Sequence, residues 1–369
     1  MVLDGLRGTA AICVVVFHLS QPAFGNDAPD ALWLRHAYLA VDFFFCLSGF
    51  VIGYAYDERY GRMSVAALLR ARLVRLHPMV VAGLLLGLLS YCLDPFNSSN
   101  AAHPWMQPQV APLWKIIANA VGGLTLLPTW PLPNRFGAFF SLNSPAWSLM
   151  WEYFASGVFA LVLWRMSRTR LLAIVALAAG ALGLSAFHLN GLSAGFAWGS
   201  GKYGLVRIIV SFGMGLLLFR SGCVIRSRLG FGSLSLIMIL LFVGPCSTQS
   251  AYSWAYDLAL VLVALPLLVA IGAGTRVSGL TRSACELAGR VSYPIYMIHY
   301  SVVMVFANYC WTRGIGPKAM PWVIGATTLG LIVLSYPVLV FYDEPVRRRL
   351  GILITVHPTN TKSTVMHAA

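Results

Sequence analysis

The chain has 369 residues, of which 58% are hydrophobic and only 10% are charged, and its formal net charge is +14. Soluble globular proteins carry about 25% charged residues, so this composition, with a mean hydropathy of +0.75, excludes a soluble enzyme and indicates an integral membrane protein. The positive charge does not indicate nucleic-acid binding. The basic residues lie in short loops between apolar runs, which is how orientation in a lipid bilayer is encoded.

Eleven apolar runs are candidates for transmembrane helices, each of which needs about 20 apolar residues. The first run is not a secretory signal peptide, because Arg7 and His18 interrupt it and no small-residue cleavage site follows. The runs lie roughly at 6–24, 38–56, 78–93, 113–128, 146–164, 170–188, 203–219, 233–248, 255–273, 291–311 and 321–342.

Basic loops predict which ends of these helices face the cytoplasm. Segment 57–78 carries five arginines, which places it and the N-terminus inside. If run 113–128 crossed the membrane, three later basic loops would lie outside. That run is short and contains Lys115 and Asn119, so we predict a re-entrant or interfacial segment on the outer side. The prediction is an all-α polytopic fold with about ten transmembrane helices and both termini in the cytoplasm.

Arg7 and His18 raise the first functional question, because ionisable side chains persist in a bilayer where they have a task or a partner. Eleven residues place them about 16 Å apart along a helix and nearly on one face. With the N-terminus inside, Arg7 lies toward the cytoplasm and His18 toward the outer half of the membrane. The alternative is a histidine bonded to a neighbouring backbone carbonyl and an arginine that snorkels to the interface.

Two carboxylates are expected at a similar depth to His18. Glu152 begins the fifth run, which enters from outside, and Asp42 lies near the outer end of the second. A carboxylate beside an imidazole fixes its tautomer and strengthens it as a general base. The alternative for either acid is a hydrated residue at the start of a helix.

A second group of polar residues is predicted at the cytoplasmic side. Arg72 and Arg75, three residues apart, share a helix face, and paired guanidinium groups suit phosphate oxygens. Ser292 and Tyr296 point together at the start of the tenth run, with His299 one turn on. The alternatives are the ordinary enrichment of arginine in cytoplasmic loops and interfacial anchoring of the aromatic side chains.

The seven cysteines predict packing and not metal binding. They lie mostly inside apolar runs, and the sequence contains neither a CxxC pair nor a Cys/His ligand spacing. Free cysteine behaves as a small buried hydrophobic residue. We therefore predict no metal site.

Six segments in order resemble the acyltransferase-3 family of membrane O-acyltransferases. The resemblance covers residues 3–349 and implies a transmembrane domain of about ten helices at 1–349, with a short cytoplasmic tail at 350–369. The segments are LDGLRGTAAICVVVFH, AVDFFFCLSGFVI, RARLVRLHP, SPAWSLMWEYF, SYPIYMIH and FYDEPVRRR.

The resemblance implies the reaction and its setting. The donor is acyl-coenzyme A on the cytoplasmic side, usually acetyl-coenzyme A, and the acceptor is a hydroxyl of a carbohydrate or a lipid-linked glycan. The expected location is the bacterial inner membrane. The chain begins six residues before Arg7, where relatives usually have a longer lead, so we expect a truncated start. The sequence lacks the SGNH-type hydrolase domain of some relatives, which leaves a small or lipid-linked acceptor open.

The resemblance also implies donor-binding residues. Arg72 and Arg75 match the family's paired arginines, which contact the coenzyme. Arg7 is the arginine of the family's motif of an arginine and a histidine with ten residues between them. Ser292 and Tyr296 match its motif of a serine and a tyrosine with three residues between them, and we assign all five residues to the donor side.

His18 is the implied catalytic histidine, and Glu152 matches the family's acidic residue after Trp-Ser-Leu. In the resulting hypothesis His18 takes the proton of the acceptor hydroxyl as that hydroxyl attacks the thioester, while Glu152 or Asp42 orients the imidazole. A transient acyl-histidine is an alternative. So is a proton-coupled polytopic transporter that uses His18, Asp42 and Glu152 as a relay, although the sequence shows no inverted repeat.

Overall fold

The computed structural model describes residues 1–24, 33–59, 63–96, 111–133, 135, 138–245, 248 and 250–355. The described residues form helices joined by turns and loops, and their only β-structure is one isolated bridge, which confirms the prediction of an all-α fold. The π-helical turn Leu260–Ala264 joins α9 to α10, and the π-helical turn Val338–Asp343 joins α12 to α13. The α-helices are α1 (Val2–Phe24), α2 (Ala40–Tyr56), α3 (Val65–Leu93), α4 (Leu113–Thr125), α5 (Ala146–Leu161), α6 (Arg168–Leu189), α7 (Gly201–Arg220), α8 (Phe231–Val243), α9 (Ser253–Ala259), α10 (Leu265–Gly274), α11 (Gly279–Arg313), α12 (Met320–Pro337) and α13 (Glu344–Thr355).

Seven helical segments within the described ranges are long and apolar enough to cross a membrane. The predicted count of ten includes three further helices. Two of them, α5 and α8, have 16 and 13 residues, while α11 has 35 residues but a more polar composition. The count of ten therefore stays a prediction. The seven segments are Val2–Gln21, Ala37–Arg59, Val65–Leu93, Arg168–Leu189, Gly201–Arg220, Ser253–Gly274 and Met320–Ile352.

The segment predicted to be re-entrant forms the short helix α4. Its 13 residues give a length of about 20 Å, and the helix ends at Leu126 in the left-handed conformation, with φ 55°. Asn119 is buried against the bundle. A re-entrant or interfacial position for this helix stays a prediction. The exposed apolar side consists of Leu113, Trp114, Ile117, Val121 and Leu124.

Helix α3 begins well before the predicted residue 78. The hydroxyl of Ser64 caps it by accepting a hydrogen bond from the backbone N–H of Ala67 at 3.2 Å. Proline disfavours a helix interior by about 3 kcal/mol, but Pro78 lies within α3, and the hydroxyl of Tyr342 donates to its carbonyl oxygen at 3.0 Å. The helix therefore carries three of the five arginines of segment 57–78, namely Arg70, Arg72 and Arg75.

Helices α1, α3 and α11 run in the same direction through the core. Along α1 and α11, Arg7 bonds to Ser292 and His18 stacks on His299. Along α3 and α11, Tyr293 donates to the carbonyl of Leu76. Near the other end of these helices, the side-chain amide of Asn308 donates to the carboxylate of Asp94. We call the end where these helices begin the arginine end, after Arg7, and the end where they finish the histidine end, after His18.

Small residues allow helices α2 and α7 to pack at very short range. A Cβ atom added at Gly215 would overlap the carbonyl oxygen of Cys46, and one added at Gly49 would overlap the carbonyl oxygen of Phe212. Close backbone approach at small residues is a usual way for membrane helices to associate. The contact fixes α2, which lines the site described below.

We expect Gly215→Ala to destabilise the protein by about 1–3 kcal/mol, the usual range for overpacking a core. Gly180→Ala is the matched control, because nothing lies within 4 Å of an added Cβ atom there, and alanine is favoured over glycine in a helix interior by about 1 kcal/mol. Thermal unfolding in detergent should show a lower midpoint for Gly215→Ala alone. Equal midpoints would contradict the close packing.

Candidate active site

A cavity of about 300 Å³ lies among α1, α2, α3, α5, α11 and the start of α13, toward the arginine end. It brings together six of the eight site residues predicted from the sequence, whereas His18 and Asp42 do not line it. The six come from four different helices, so their meeting is a property of the fold. They are Arg7, Arg72, Arg75, Glu152, Ser292 and Tyr296.

Arg7 is held against α11 by two hydrogen bonds. Its Nε donates to the hydroxyl oxygen of Ser292 at 2.8 Å, and its Nη2 donates to the carbonyl oxygen of Gly289 at 2.5 Å. The carboxylate of Asp4 lies 3.7 Å away. The guanidinium is therefore fixed at the wall of the cavity and still carries positive charge into it.

The two predicted arginines of α3 have different environments. Arg72 is 3% exposed and forms an ion pair with Glu152, and Ser48 donates a hydrogen bond to the same carboxylate at 2.8 Å. Arg75 is exposed and forms no ion pair with any described residue. Arg75 can therefore meet an incoming anion directly, whereas Arg72 is already committed to Glu152.

The hydroxyl groups of Tyr296 and Ser148 lie 2.8 Å apart at the end of the cavity nearer the histidine end. One helical turn further on is His299, which is fully buried. Its Nδ1 lies 2.7 Å from the carbonyl oxygen of Tyr296, and since a carbonyl only accepts, Nδ1 carries the proton. The Nε2 atom of His299 has no partner among the described residues.

His18 lies beside His299, beyond the cavity. The two rings stack with centroids 5.4 Å apart and planes 27° apart, and Tyr300 meets the His18 ring edge-on at 5.9 Å. The side-chain oxygen of Gln21 lies 2.9 Å from Nδ1 of His18. Because an amide oxygen accepts, Nδ1 is the donor, and Nε2 is left with a free lone pair that can act as a base.

Neither predicted carboxylate orients His18, so that part of the hypothesis needs correction. Asp42 is 1% exposed and pairs with Arg207 at 2.5 Å, and the carboxylate of Glu152 is bound to Arg72 and Ser48. A buried charge needs a partner, and each acid found one on a neighbouring helix. In their place Gln21, one helical turn from His18, fixes the imidazole.

The sequence analysis assigned no role to the charged residues near the C-terminus that also line the cavity. Glu344 accepts from the Nε and Nη2 atoms of Arg290 at 3.0 and 2.8 Å. Asp343 accepts from Arg347 at 2.5 Å. Asp343, Glu344 and Arg347 come from the segment FYDEPVRRR, so the motif itself was the signal that they lie at a site.

Comparison with known proteins identifies the family. Residues 2–340 match the acyltransferase domain of the acyltransferase-3 family. The chain is 36% identical over 166 residues to "Protein 2 in picA locus" of Rhizobium radiobacter, covering 43% of this chain and 80% of the relative. It is 30% identical over 157 residues to "Acyltransferase MdmB" of Streptomyces mycarofaciens, covering 41% of this chain and 36% of that relative.

No solved structure matches the chain. The family match spans nearly the whole sequence, and the apolar helices place the protein in a membrane. The chain belongs to the acyltransferase-3 family and is an integral membrane acyltransferase.

Proposed function

We propose that the protein transfers an acyl group, in the main case acetyl, to a hydroxyl of a carbohydrate or lipid-linked glycan. The donor, acyl-coenzyme A, binds at the arginine end, and the acceptor binds at the histidine end. The observation that carries this proposal is the arginine-lined cavity, whose lining residue Tyr296 lies against His299, which in turn stacks on His18. We place the arginine end and both termini in the cytoplasm of a bacterium, because arginine-rich ends of membrane proteins face that side.

Helix α11 gives the length of the proposed path. The helix presents in succession Arg290, Ser292, Tyr296 and His299. The nine residue steps from Arg290 to His299 span about 13 Å. The cavity covers the part from Arg290 to Tyr296. A long, thin pantetheine arm suits such a path, with the coenzyme's phosphates outside it and the thioester at its inner end.

The charge of the cavity favours a polyanionic donor. Five arginines and three carboxylates line it, which leaves an excess of two positive charges. A cleft with an excess of one sign of charge and low-dielectric walls raises the local concentration of the opposite ion. Arg75, exposed and without an ion pair in the described part of the chain, is the arginine best placed to bind a phosphate.

The proposed chemistry is a direct acyl transfer. Nε2 of His18 takes the proton of the acceptor hydroxyl while the hydroxyl oxygen bonds to the thioester carbon. The carbon–sulfur bond then breaks, and the coenzyme thiolate recovers the proton from His18. A transient acyl-His18 would divide the same transfer into two steps.

The transporter alternative requires a proton relay through His18, Asp42 and Glu152. In the structure these three side chains bond to Gln21, Arg207 and Arg72 and not to one another. An enzyme releases free thiol from acyl-coenzyme A, whereas a transporter moves solute without it. Thiol release by the purified protein, supplied with acetyl-coenzyme A and acceptor-containing membrane lipid, therefore tests the proposed function.

We expect Arg75→Gln to raise the KM for acetyl-coenzyme A about tenfold, since a hydrogen bond to a charged group contributes about 1.5–3 kcal/mol and 1.4 kcal/mol is tenfold. The kcat should stay close to that of the wild type, and the difference should shrink at high salt. Steady-state thiol release measures both constants.

Arg70→Gln is the matched control for this measurement. Arg70 is an exposed arginine of the same helix, but it does not line the cavity. The KM of Arg70→Gln for acetyl-coenzyme A should equal that of the wild type. Equal increases for Arg70→Gln and Arg75→Gln would show a general loss of surface charge and would contradict donor binding at Arg75.

A further inference from the structure

Arg290 and Glu344 form an ion pair at the cavity that water reaches freely. The Nε and Nη2 atoms of Arg290 lie 3.0 and 2.8 Å from one oxygen of Glu344. Both residues line the cavity, and their side chains are 50% and 34% exposed. Such a pair contributes little to stability, because solvent screens it and two long side chains must be held in place.

Two other arginines of the cavity are paired with carboxylates that also line it, and these pairs are far less accessible. Arg72 is 3% exposed beside Glu152, and Asp343 is 1% exposed beside Arg347. A new anion would have to reach a buried arginine in the first pair, and would leave a buried carboxylate alone in the second, which is costly. Glu344, once released from Arg290, is hydrated instead.

The geometry and the position of Arg290 suit a phosphate. The two N–H groups that now meet Glu344 form a fork, and a guanidinium fork matches the oxygens of a phosphate as well as those of a carboxylate. Arg290 precedes Ser292 and Tyr296 along α11. It therefore lies at the end of the proposed path away from the two histidines, where the phosphates of the donor are expected.

We propose that Arg290 binds a phosphate group of the acyl donor by exchanging Glu344 for it, so that Glu344 competes with the donor and limits its affinity. Arg290 would act in addition to Arg75, since coenzyme A carries more than one phosphate. Release of the Glu344 carboxylate into water raises the positive excess of the cavity, because five arginines then face two carboxylates in place of three. This inference rests on the proposed function.

The test begins with Glu344→Gln in the full-length protein, assayed by thiol release. This change removes the competing charge, so we expect the KM for acetyl-coenzyme A to fall about two- to fivefold, the equivalent of an exposed ion pair. A folding defect does not raise affinity for a substrate, so the direction of the change is informative. Glu286→Gln is the matched control, because Glu286 pairs with Arg282 in the same helix at 2.9 Å and neither lines the cavity.

Arg290→Gln should act in the opposite direction and raise the same KM about tenfold, through the loss of a charge-assisted hydrogen bond. In that background Glu344→Gln should lower KM by less, because no pair is left to exchange. S-acetyl-pantetheine carries no phosphate, so its KM should be the same for every variant. Acetyl-dephospho-coenzyme A lacks only the 3′-phosphate, and a response kept with this donor assigns Arg290 to the pyrophosphate, whereas a lost response assigns it to the 3′-phosphate.

Each other outcome overturns the inference in a distinguishable way. An unchanged or higher KM in Glu344→Gln would reject the competition. An equal fall in Glu286→Gln, or in the Arg290→Gln background, would show a general effect of charge. Equal responses with S-acetyl-pantetheine and acetyl-coenzyme A would make the pair structural. Wild-type protein that releases no thiol from any of the three donors would instead reject the proposed function, and the inference with it.

Discussion

We expect His18→Ala to lower acyl transfer by at least about a hundredfold, because general-base catalysis contributes about 10²- to 10⁴-fold. The Nδ1 atom of His18 is held by Gln21 at 2.9 Å, which leaves Nε2 as the available base. The neighbouring His299 also has an unpartnered Nε2 atom, but its side chain is fully buried, whereas the side chain of His18 is partly exposed. Thiol release from acetyl-coenzyme A, with acceptor present, measures the loss.

His188→Ala is the matched control for His18→Ala. His188 is an exposed histidine in the last turn of α6 and lies outside the cavity lining. Its activity should equal that of the wild type when both proteins are present in the membrane at the same level. Full activity of His18→Ala at equal expression would reject His18 as the base.

The same variant distinguishes the two chemical routes. In direct transfer, wild-type protein incubated with radiolabelled acetyl-coenzyme A but no acceptor retains no label after gel filtration in denaturant. In the two-step route it retains one label on His18, which His18→Ala cannot carry. The stacked position of His299 makes it the residue to examine for any label that persists in the variant.

The five residues that the sequence assigned to donor binding line one cavity, and the signals that identified them are local. The spacing of Arg7 and His18 within one helix, and of Ser292 and Tyr296 within another, follows from helical periodicity alone. The structure shows in addition which helices pack together, for instance through the hydrogen bond from Arg7 to Ser292 at 2.8 Å. Local spacing predicts which side chains share a face, but not which face meets which.

The partners of the buried carboxylates could not be predicted in this way. Asp42 and Arg207 are separated by 165 residues, and the sequence offers several opposite charges at similar depth. The one sequence signal for a pair was that both charged residues lie within apolar runs, since two buried charges of opposite sign stabilise each other. The sequence alone places His299 one helical turn beyond Tyr296. Its stacking on His18 could not be predicted, because it depends on how α1 crosses α11.

The Asp42–Arg207 pair is the basis of the second large prediction. Arg207 donates to both oxygens of Asp42, with a shortest distance of 2.5 Å, and also to the carbonyl of Ala194 at 2.8 Å. Both side chains are at most 2% exposed. Breaking a buried pair by removing one partner destabilises a protein by about 3–5 kcal/mol, because it leaves an unpaired buried charge.

We therefore expect Asp42→Leu to lower the free energy of unfolding by about 3–5 kcal/mol. Replacing both charges, in Asp42→Leu combined with Arg207→Met, should recover much of that loss, since apolar pairs of similar volume often match a buried ion pair. Chemical unfolding in detergent of the two single variants and the double variant measures the coupling. Additive losses would contradict the pairing.

The double variant also separates structure from catalysis. If Asp42 serves α2–α7 packing, the double variant should keep the wild-type kcat per folded molecule, because His18 keeps Gln21 as its partner. If Asp42 instead acts on the imidazole, kcat should fall even where stability is restored. A stable but inactive double variant would return Asp42 to the catalytic role that its sequence position first indicated.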